Sequence, residues 1–372
     1  VAQYELWYTD PLGNRISYIP NSSGFSYVKV LGDVGVAQFS TPLRGLDHEA
    51  NIPDRRIMIY RQAYGVAQVL EVVAFLDKFT YATSQDGLGQ FGAGASDPNV
   101  LLKRRIVAYP SGDSKATTDE TSTSRSMRVQ VANNLLFATD ADRNIIDYGV
   151  SNIAPVTAGP AVKKQFAWKN LLELLQDLQA FSKQGGAEIF FAIVPTSETD
   201  MQFRVYPNQP GADRTLATGK TPVVFSLQRG NLLSPTLTYD YSNEANYIYA
   251  GGKGQEDQRN IQEASDDVSI GRSPFARKEK FVSAISGVKD NSDAEVLAKA
   301  KDALEKNRAR VTFSGTIIST ARTEYGRDWF HGDKVSVDYA GFQFDTIIRA
   351  VAVSVDGDGR ETIQARVELS NE

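Results

Sequence analysis

The chain has 372 residues, of which 41% are hydrophobic and 23% charged, with a formal net charge of −5 and no cysteine. That length and balance suit a folded protein of two or three domains with real cores. They exclude disulfide frameworks, thiolate metal sites and cysteine nucleophiles, they lack the basic footprint of a nucleic-acid binder, and no apolar run reaches the 18 residues of a membrane-spanning helix.

The opening VAQYELWYTD carries no basic segment ahead of an apolar core, so a signal peptide is not expected. Tyr4, Leu6 and Tyr8 alternate, then Asp10-Pro11-Leu12-Gly13-Asn14 supplies turn chemistry before Arg15 to Ile19. Phe25 to Val30, Val34 to Phe39, Arg56 to Arg61 and Gln68 to Thr83 continue the strand pattern at intervals that suit an all-β barrel or sandwich. The run 85–98 then reads as a glycine-rich loop. Its Gly87-Leu88-Gly89-Gln90-Phe91-Gly92 matches a dinucleotide fingerprint, but Ala93 to Pro98 has loop composition where that motif requires a helix.

Residues 101–225 change character. Met127, Val131, Leu135 and Ala138 are spaced for an amphipathic helix behind capping residues in Asp119 to Thr123. Ala167 to Gln184 is the clearest helix, with Trp168, Leu171, Leu172, Leu175, Leu178 and Phe181 on one face and Gly185-Gly186 at its end. Ile189 to Val194 and Met201 to Tyr206 read as a hairpin of buried strands. After Thr221-Pro222 the chain is strands again, with an apolar strand inside Tyr239 to Gly254, a polar loop over Gly251 to Gly271, and a helix over 292–307 opened by the capping box Ser292-x-x-Glu295. Alternating strands close the sequence at Val335 to Val337, Phe342 to Val355 and Thr362 to Leu369. The composition divides the chain into residues 1–100, a β-barrel domain; 101–225, a mixed α/β domain; and 226–372, a second β-barrel domain of similar topology. The fold class is α+β and β-rich.

Candidate chemistry is sparse. The two histidines, His48 and His331, have no second histidine nearby to suggest a triad or a zinc site. Asp356-Gly357-Asp358-Gly359 lacks the register and distant glutamate of a calcium loop and reads as a hairpin turn. Asp140-Ala141-Asp142-Arg143-Asn144 lacks the following glycine and reads as a loop after a helix. No catalytic, cofactor-binding or metal-binding residue is assigned. The aromatic surplus suits barrel cores and subunit interfaces, with Trp7, Tyr247, Tyr249 and Trp329 as candidate interface residues, some of which must instead be core.

An ordered set of segments carries a resemblance: ELWYTDPLGNRISYI, FSYVKVLGDVGVAQFSTP, DRRIMIYRQ, LLKRRIVAYP, WKNLLELLQDLQ, GADRT, EANYIYAGGKGQEDQR and YGRDWFHGDKVSVDYAG. Together they resemble the tail hub proteins of siphophages, notably those of phages infecting actinobacteria. The resemblance implies a homotrimer whose two tube-like barrels per subunit form a pseudo-sixfold ring at the distal end of the tail tube. Such a ring adapts the hexameric tube to threefold tip parts. It further implies contact with distal tail and tail tube proteins, the tape measure protein and fibre or receptor-binding proteins, passage of DNA through the lumen, and no catalytic motif. The rival readings are a glycan-degrading hydrolase, which requires converging carboxylates in a cleft, and a carbohydrate-binding β-protein, which requires an exposed tyrosine or tryptophan platform.

Overall fold

The first quarter of the chain is strand throughout: β1 (Gln3–Thr9), β2 (Arg15–Tyr18), β3 (Gly24–Val30), β4 (Val36–Pro42), β5 (Arg56–Gln62), β6 (Val69–Thr83) and β7 (Gly89–Ser96). The computed structural model describes residues 2–19, 24–44, 52–83, 87–108, 116–152, 156–217, 221–285, 291–320 and 322–368. Cα packing divides the chain into one unit of Val1–Pro235 with Gly315–Glu368 and a second of Thr236–Ser314.

β7 corrects the glycine-rich loop. Residues 89–96 form a strand between β4 and β6, with Phe91, Ala93 and Ala95 buried and Gly92 and Gly94 on the opposite face. The alternation is a strand's, but glycine and alanine leave little contrast between its two sides. Residues 85 and 86 of the expected loop lie outside the described residues, as does His48.

The middle of the first unit contains α1 (Val100–Lys103), β8 (Ala116–Glu120), α2 (Thr123–Val131), β9 (Val150–Asn152), β10 (Val162–Phe166), α3 (Leu171–Gln184), β11 (Ile189–Pro195) and β12 (Met201–Pro207). Ser122 caps α2 by accepting from the Arg125 amide, and a π turn over Ala132–Leu136 continues it, so Met127, Val131 and Leu135 all reach one core. α3 starts at Leu171 behind an Asn170 cap, three residues later than Trp168, which stays outside the helix at φ 49 and 61% exposed. Its buried Leu171, Leu172, Leu174, Leu175 and Leu178 face Ile189, Phe191 and Phe203 of the antiparallel β11–β12 hairpin. Each such side chain contributes about 1.5–3 kcal/mol of transfer free energy.

The remaining elements are β13 (Asp213–Arg214), β14 (Val224–Ser226), β15 (Leu232–Asp240), β16 (Tyr247–Gly251), β17 (Ile261–Ser265), α4 (Asp267–Ile270), β18 (Glu279–Ser283), α5 (Asp293–Lys306), β19 (Arg310–Ile317), β20 (Lys334–Tyr339), β21 (Phe342–Asp356) and β22 (Glu361–Glu368). A 12-stranded sheet joins both ends of the sequence in the order β13-β20-β21-β3-β4-β7-β6-β5-β1-β2, with β14 on β20 and β22 on β21. The junction is the antiparallel pairing of Ala350–Asp356 with Gly24–Val30. The described pairings form an open path from β13 to β2 and no closed barrel, and the 15-residue β21 pairs with β20, β22 and β3 along it.

In the second unit, β16 is central, antiparallel to β17 and parallel to β18. Ile248 and Ala250 pack with Val296, Ala300 and Leu304 of α5, whose Ser292 cap accepts from the Glu295 amide. β17 corrects the expected polar loop over Gly251 to Gly271: Ile261–Ser265 pairs with β16 along its whole length, and Ala264 packs against the core that Ile248 and Ala250 share with α5.

Candidate functional site

The segments that carry the family resemblance supply a set of buried polar contacts in the first unit. Both arginines of β5, Arg56 and Arg61, are 1% exposed. Arg61 Nε donates to Glu361 Oε1 at 2.9 Å and Nη2 to Oε2 at 3.2 Å, while Nη1 donates to the Tyr325 carbonyl at 2.8 Å. The Tyr4 hydroxyl accepts from Arg61 Nε and donates to Glu361. Tyr325 OH donates to Glu71 Oε1 at 2.6 Å, and Lys29 Nζ donates to the same oxygen at 3.0 Å. The network thus ties β1, β3, β5 and β6 to β22 and to the 320–333 segment. Burial acts to lower the Arg61 pKa, but the Glu361 carboxylate outweighs it and holds the guanidinium above its ordinary value. Burial pushes the Glu71 carboxyl up, and Lys29 with Tyr325 more than reverses that, leaving it depressed.

Arg56 performs the corresponding task for the mixed part, donating to the carbonyls of Thr199 at 3.1 Å and Tyr148 at 3.2 Å. Arg214 of the GADRT segment donates to Asp333 Oδ2 at 2.7 Å, and Asp333 also accepts from the amides of Ala212 at 2.7 Å and Phe330 at 2.9 Å. Two glycines of these segments are sterically required. A Cβ on Gly211 would lie 2.3 Å from Asp333 Oδ1, and one on Gly326, which sits at φ +80°, would lie 2.2 Å from Arg61 Nη1.

The four candidate interface aromatics are not brought together. Trp329 is 0% exposed, packs edge-on to Phe225 at 5.5 Å and donates through Nε1 to the Thr323 carbonyl at 3.3 Å, so it belongs to the core and cannot present a face to a partner. Trp7 is partly buried against Met58, Tyr60 and Val73, with Tyr18 at 5.3 Å and the Arg15 guanidinium 4.9 Å from its ring centre. Tyr247 and Tyr249 lie on the side of the second unit's sheet away from α5, their rings tilted at 48° with centres 5.0 Å apart. Arg277 lies 3.7 Å over the Tyr247 ring, occupying the surface a sugar would stack on.

Outside the Arg61 network, His331 and Asp97 are also strongly perturbed. His331, whose Nε2 lies 3.1 Å from the Arg349 carbonyl, is lowered to about 4 by burial and by Lys29. Asp97 is raised to about 7 by burial, against the amide contacts from Gly35 and Asn99. Neither is among the residues lining the two cavities below. Among the described residues no group of three or more His, Asp or Glu gathers in metal-holding geometry.

What the large sheet offers instead is an open face. In register across it run Thr362, Ser354, Ser26, Gln38, Gly94 and Lys78; then Asp356, Gly24, Ser40, Gly92 and Thr80; then Gln364, Ala352, Val28, Val36 and Ser96. All are exposed or half-buried, and a groove of about 480 Å³ crosses the first two rows. Lys78 and Asp356 are the charges in these rows, with Asp77 beside them at the β6 bulge, held to Ser96. Solvated faces of antiparallel sheets are ordinarily polar. The first two rows are polar through serine, threonine and glutamine, with Gly24, Gly92 and Gly94 among them, while the third carries Ala352, Val28 and Val36.

This fold recurs in phage tail proteins. The 43 kDa tail protein of prophage MuSo2 from Shewanella oneidensis superposes with a TM-score of 0.60 at 12% identity, covering 99% of this chain and 98% of that one. A tail protein from Neisseria meningitidis MC58 gives 0.59 at 13% identity over 99% and 97% of the two chains. Prophage tail protein gp18 from Listeria monocytogenes EGD-e gives 0.55 at 11% identity over 99% and 95%. No curated protein matches the sequence. The chain belongs to the siphovirus ReqiPepy6 Gp37-like protein family, whose model matches residues 4–367.

Proposed function

We propose that this protein is the tail hub that closes the distal end of the tail tube and adapts the tube's sixfold symmetry to threefold tip components. It works without enzymatic activity, as a homotrimeric ring to which each subunit contributes two tube-like wall units, one from the N-terminal and one from the C-terminal strands. Its neighbours are the distal tail and tube proteins, the tape measure protein and the fibre or receptor-binding proteins.

The observation that carries this reading is the sheet face described above. DNA leaving the capsid must pass the hub without being held. Non-specific DNA affinity comes from lysine and arginine contacts to phosphates. A wall of Ser26, Gln38, Ser40, Gly92, Gly94, Thr80 and Ser354, with single basic and acidic positions, supports passage without retention. The face also spans strands from both ends of the sequence, as two wall units per subunit require.

An image of the intact tail tip at side-chain resolution tests the proposal. Three copies are expected at the tube's end, with Gln38, Ser40 and Ser354 toward the axis. Six copies, a single copy, or this face turned outward would overturn it.

A further inference from the structure

A second cavity, of about 300 Å³, lies in the mixed part of the first unit, lined by Arg104, Arg105, Ile106, Ala108, Asp142 and Arg143. Three arginines therefore line it beside a single acidic residue, Asp142. Arg104 has a counter-charge in Asp54, 2.5 Å away. Arg105 and Arg143 do not: among the described residues no carboxylate lies within ion-pair distance of either. Arg105 Nη2 donates to the Arg143 carbonyl at 3.3 Å, and its Nε is buried without a hydrogen-bond partner among the described residues. Arg143 Nη2 donates to the Ile106 carbonyl at 2.5 Å and to Asn134 Oδ1 at 3.3 Å, both neutral acceptors.

The walls are fixed. The Val107 amide bonds the Lys169 carbonyl at 2.8 Å and the Leu171 amide the Arg105 carbonyl at 2.9 Å, holding the arginine segment against the start of α3. Asp140 caps the short turn Ala141–Arg143 through the Asp142 amide at 3.1 Å. Asn134 Oδ1 accepts from the Ala108 amide at 3.1 Å as well as from Arg143, joining the two sides. The loop that fails as a calcium site thus delivers a cation, not a ligand carboxylate.

Holding two guanidinium groups together without a counter-ion is unfavourable, because each disfavours the other's charge and both are partly withdrawn from water. Arg105 registers this as a pKa lowered by burial and by Arg143 and Arg104. We propose that this pocket is a binding site for a doubly charged oxyanion of the phosphate kind, held between the Arg105 and Arg143 guanidinium groups. Two uncompensated positive charges match a dianion, and guanidinium forks match its oxygens.

The test is calorimetric titration of the full chain with inorganic phosphate at fixed ionic strength, with acetate as the monoanion. One saturable phosphate site per chain is expected, bound at least about tenfold more tightly than acetate. Arg105→Met, which keeps the volume, should abolish it. Asp142→Asn, at an exposed rim position, should tighten it by about threefold by removing the one repelling charge. Should Arg105→Met lose its native circular dichroism, the Asp142→Asn comparison decides alone. No saturable binding, equal binding of acetate, phosphate binding unchanged in a folded Arg105→Met protein, or phosphate binding unchanged in Asp142→Asn would each overturn the assignment.

Discussion

Replacing Glu361 with alanine tests whether the two ends of the sequence are held together by the Arg61 network or by backbone pairing alone. The substitution removes both guanidinium-to-carboxylate contacts, at 2.9 and 3.2 Å, together with the acceptor of the Tyr4 hydroxyl. Arg61 keeps the Tyr325 carbonyl at 2.8 Å and the Tyr4 oxygen, but its side chain is only 1% exposed and cannot recover its hydration. Breaking a buried ion pair from one side costs about 3–5 kcal/mol. Glu361 is 12% exposed, so water entering the vacated position recovers part of that, and about 3 kcal/mol is expected. Urea unfolding should show the loss as a lower midpoint at unchanged slope. The double variant Arg61→Met with Glu361→Leu should recover part of it, since apolar side chains replace the buried pair but leave the Tyr325 carbonyl and the Tyr4 hydroxyl without these partners. A loss below about 1 kcal/mol in Glu361→Ala, with no recovery needed in the double variant, would refute the reasoning.

Two residues should give opposite pH dependences. His331 has a folded pKa of about 4 against an ordinary 6.5, so its contribution is fully present above pH 6.5 and is lost as pH falls through 4. Asp97 has a folded pKa of about 7 against 3.8, so the folded state is favoured below pH 3.8 and loses stability as pH rises through 7. The slopes offset in the native protein. His331→Gln should leave a stability that falls from pH 4 to 7, and Asp97→Asn one that rises, each by about 1–3 kcal/mol given their partial exposure; parallel curves for all three proteins would contradict this. Gly326→Ala should cost about 2 kcal/mol or more, read as a lower melting temperature, whereas Gly359→Ala, at φ +76° with nothing within 4 Å of its Cβ, should cost about 1 kcal/mol. Placing lysine at Gln38, Ser40 and Ser354 together should create salt-sensitive DNA retention that the native protein lacks, measured by band shift at low and moderate salt.

The sequence was most informative where apolar contrast is strong. α5 and the β11–β12 hairpin follow from capping residues and alternation and lie where those signals put them, and α3 follows from leucine spacing but begins at Leu171, one turn later than the expected Ala167. β7 was illegible because its outward positions are Gly92 and Gly94 and two of its inward ones are alanine, so period two has almost no amplitude. β17 was hidden because none of its residues is buried. The polar network was out of reach for another reason. Arg61 and Glu361 stand 300 residues apart, and nothing local distinguishes a buried arginine from a solvated one. Trp329 shows the converse: nothing in YGRDWFHG separates an interface tryptophan from a core one, and this one is core, 0% exposed.

The strands that carry the resemblance do two tasks on alternating positions, and this explains why no chemistry was visible in them. Inward positions such as Phe25, Tyr27, Phe39, Phe91 and Val353 build the core, and the arginines and glycines of the motifs, with Glu71 and Glu361 from outside them, hold that core across the chain's two ends. Outward positions on the same strands carry Ser26, Gln38, Ser40, Gly92, Gly94 and Ser354. For a passive wall the requirement is negative: no basic cluster to grip phosphate and no bulky side chain to narrow the path. A requirement of that kind leaves no motif, because it is met by many combinations of small neutral residues. It becomes recognisable only when strand pairing brings those residues into register, where charge depletion over three adjacent rows of one sheet can be seen as a single surface.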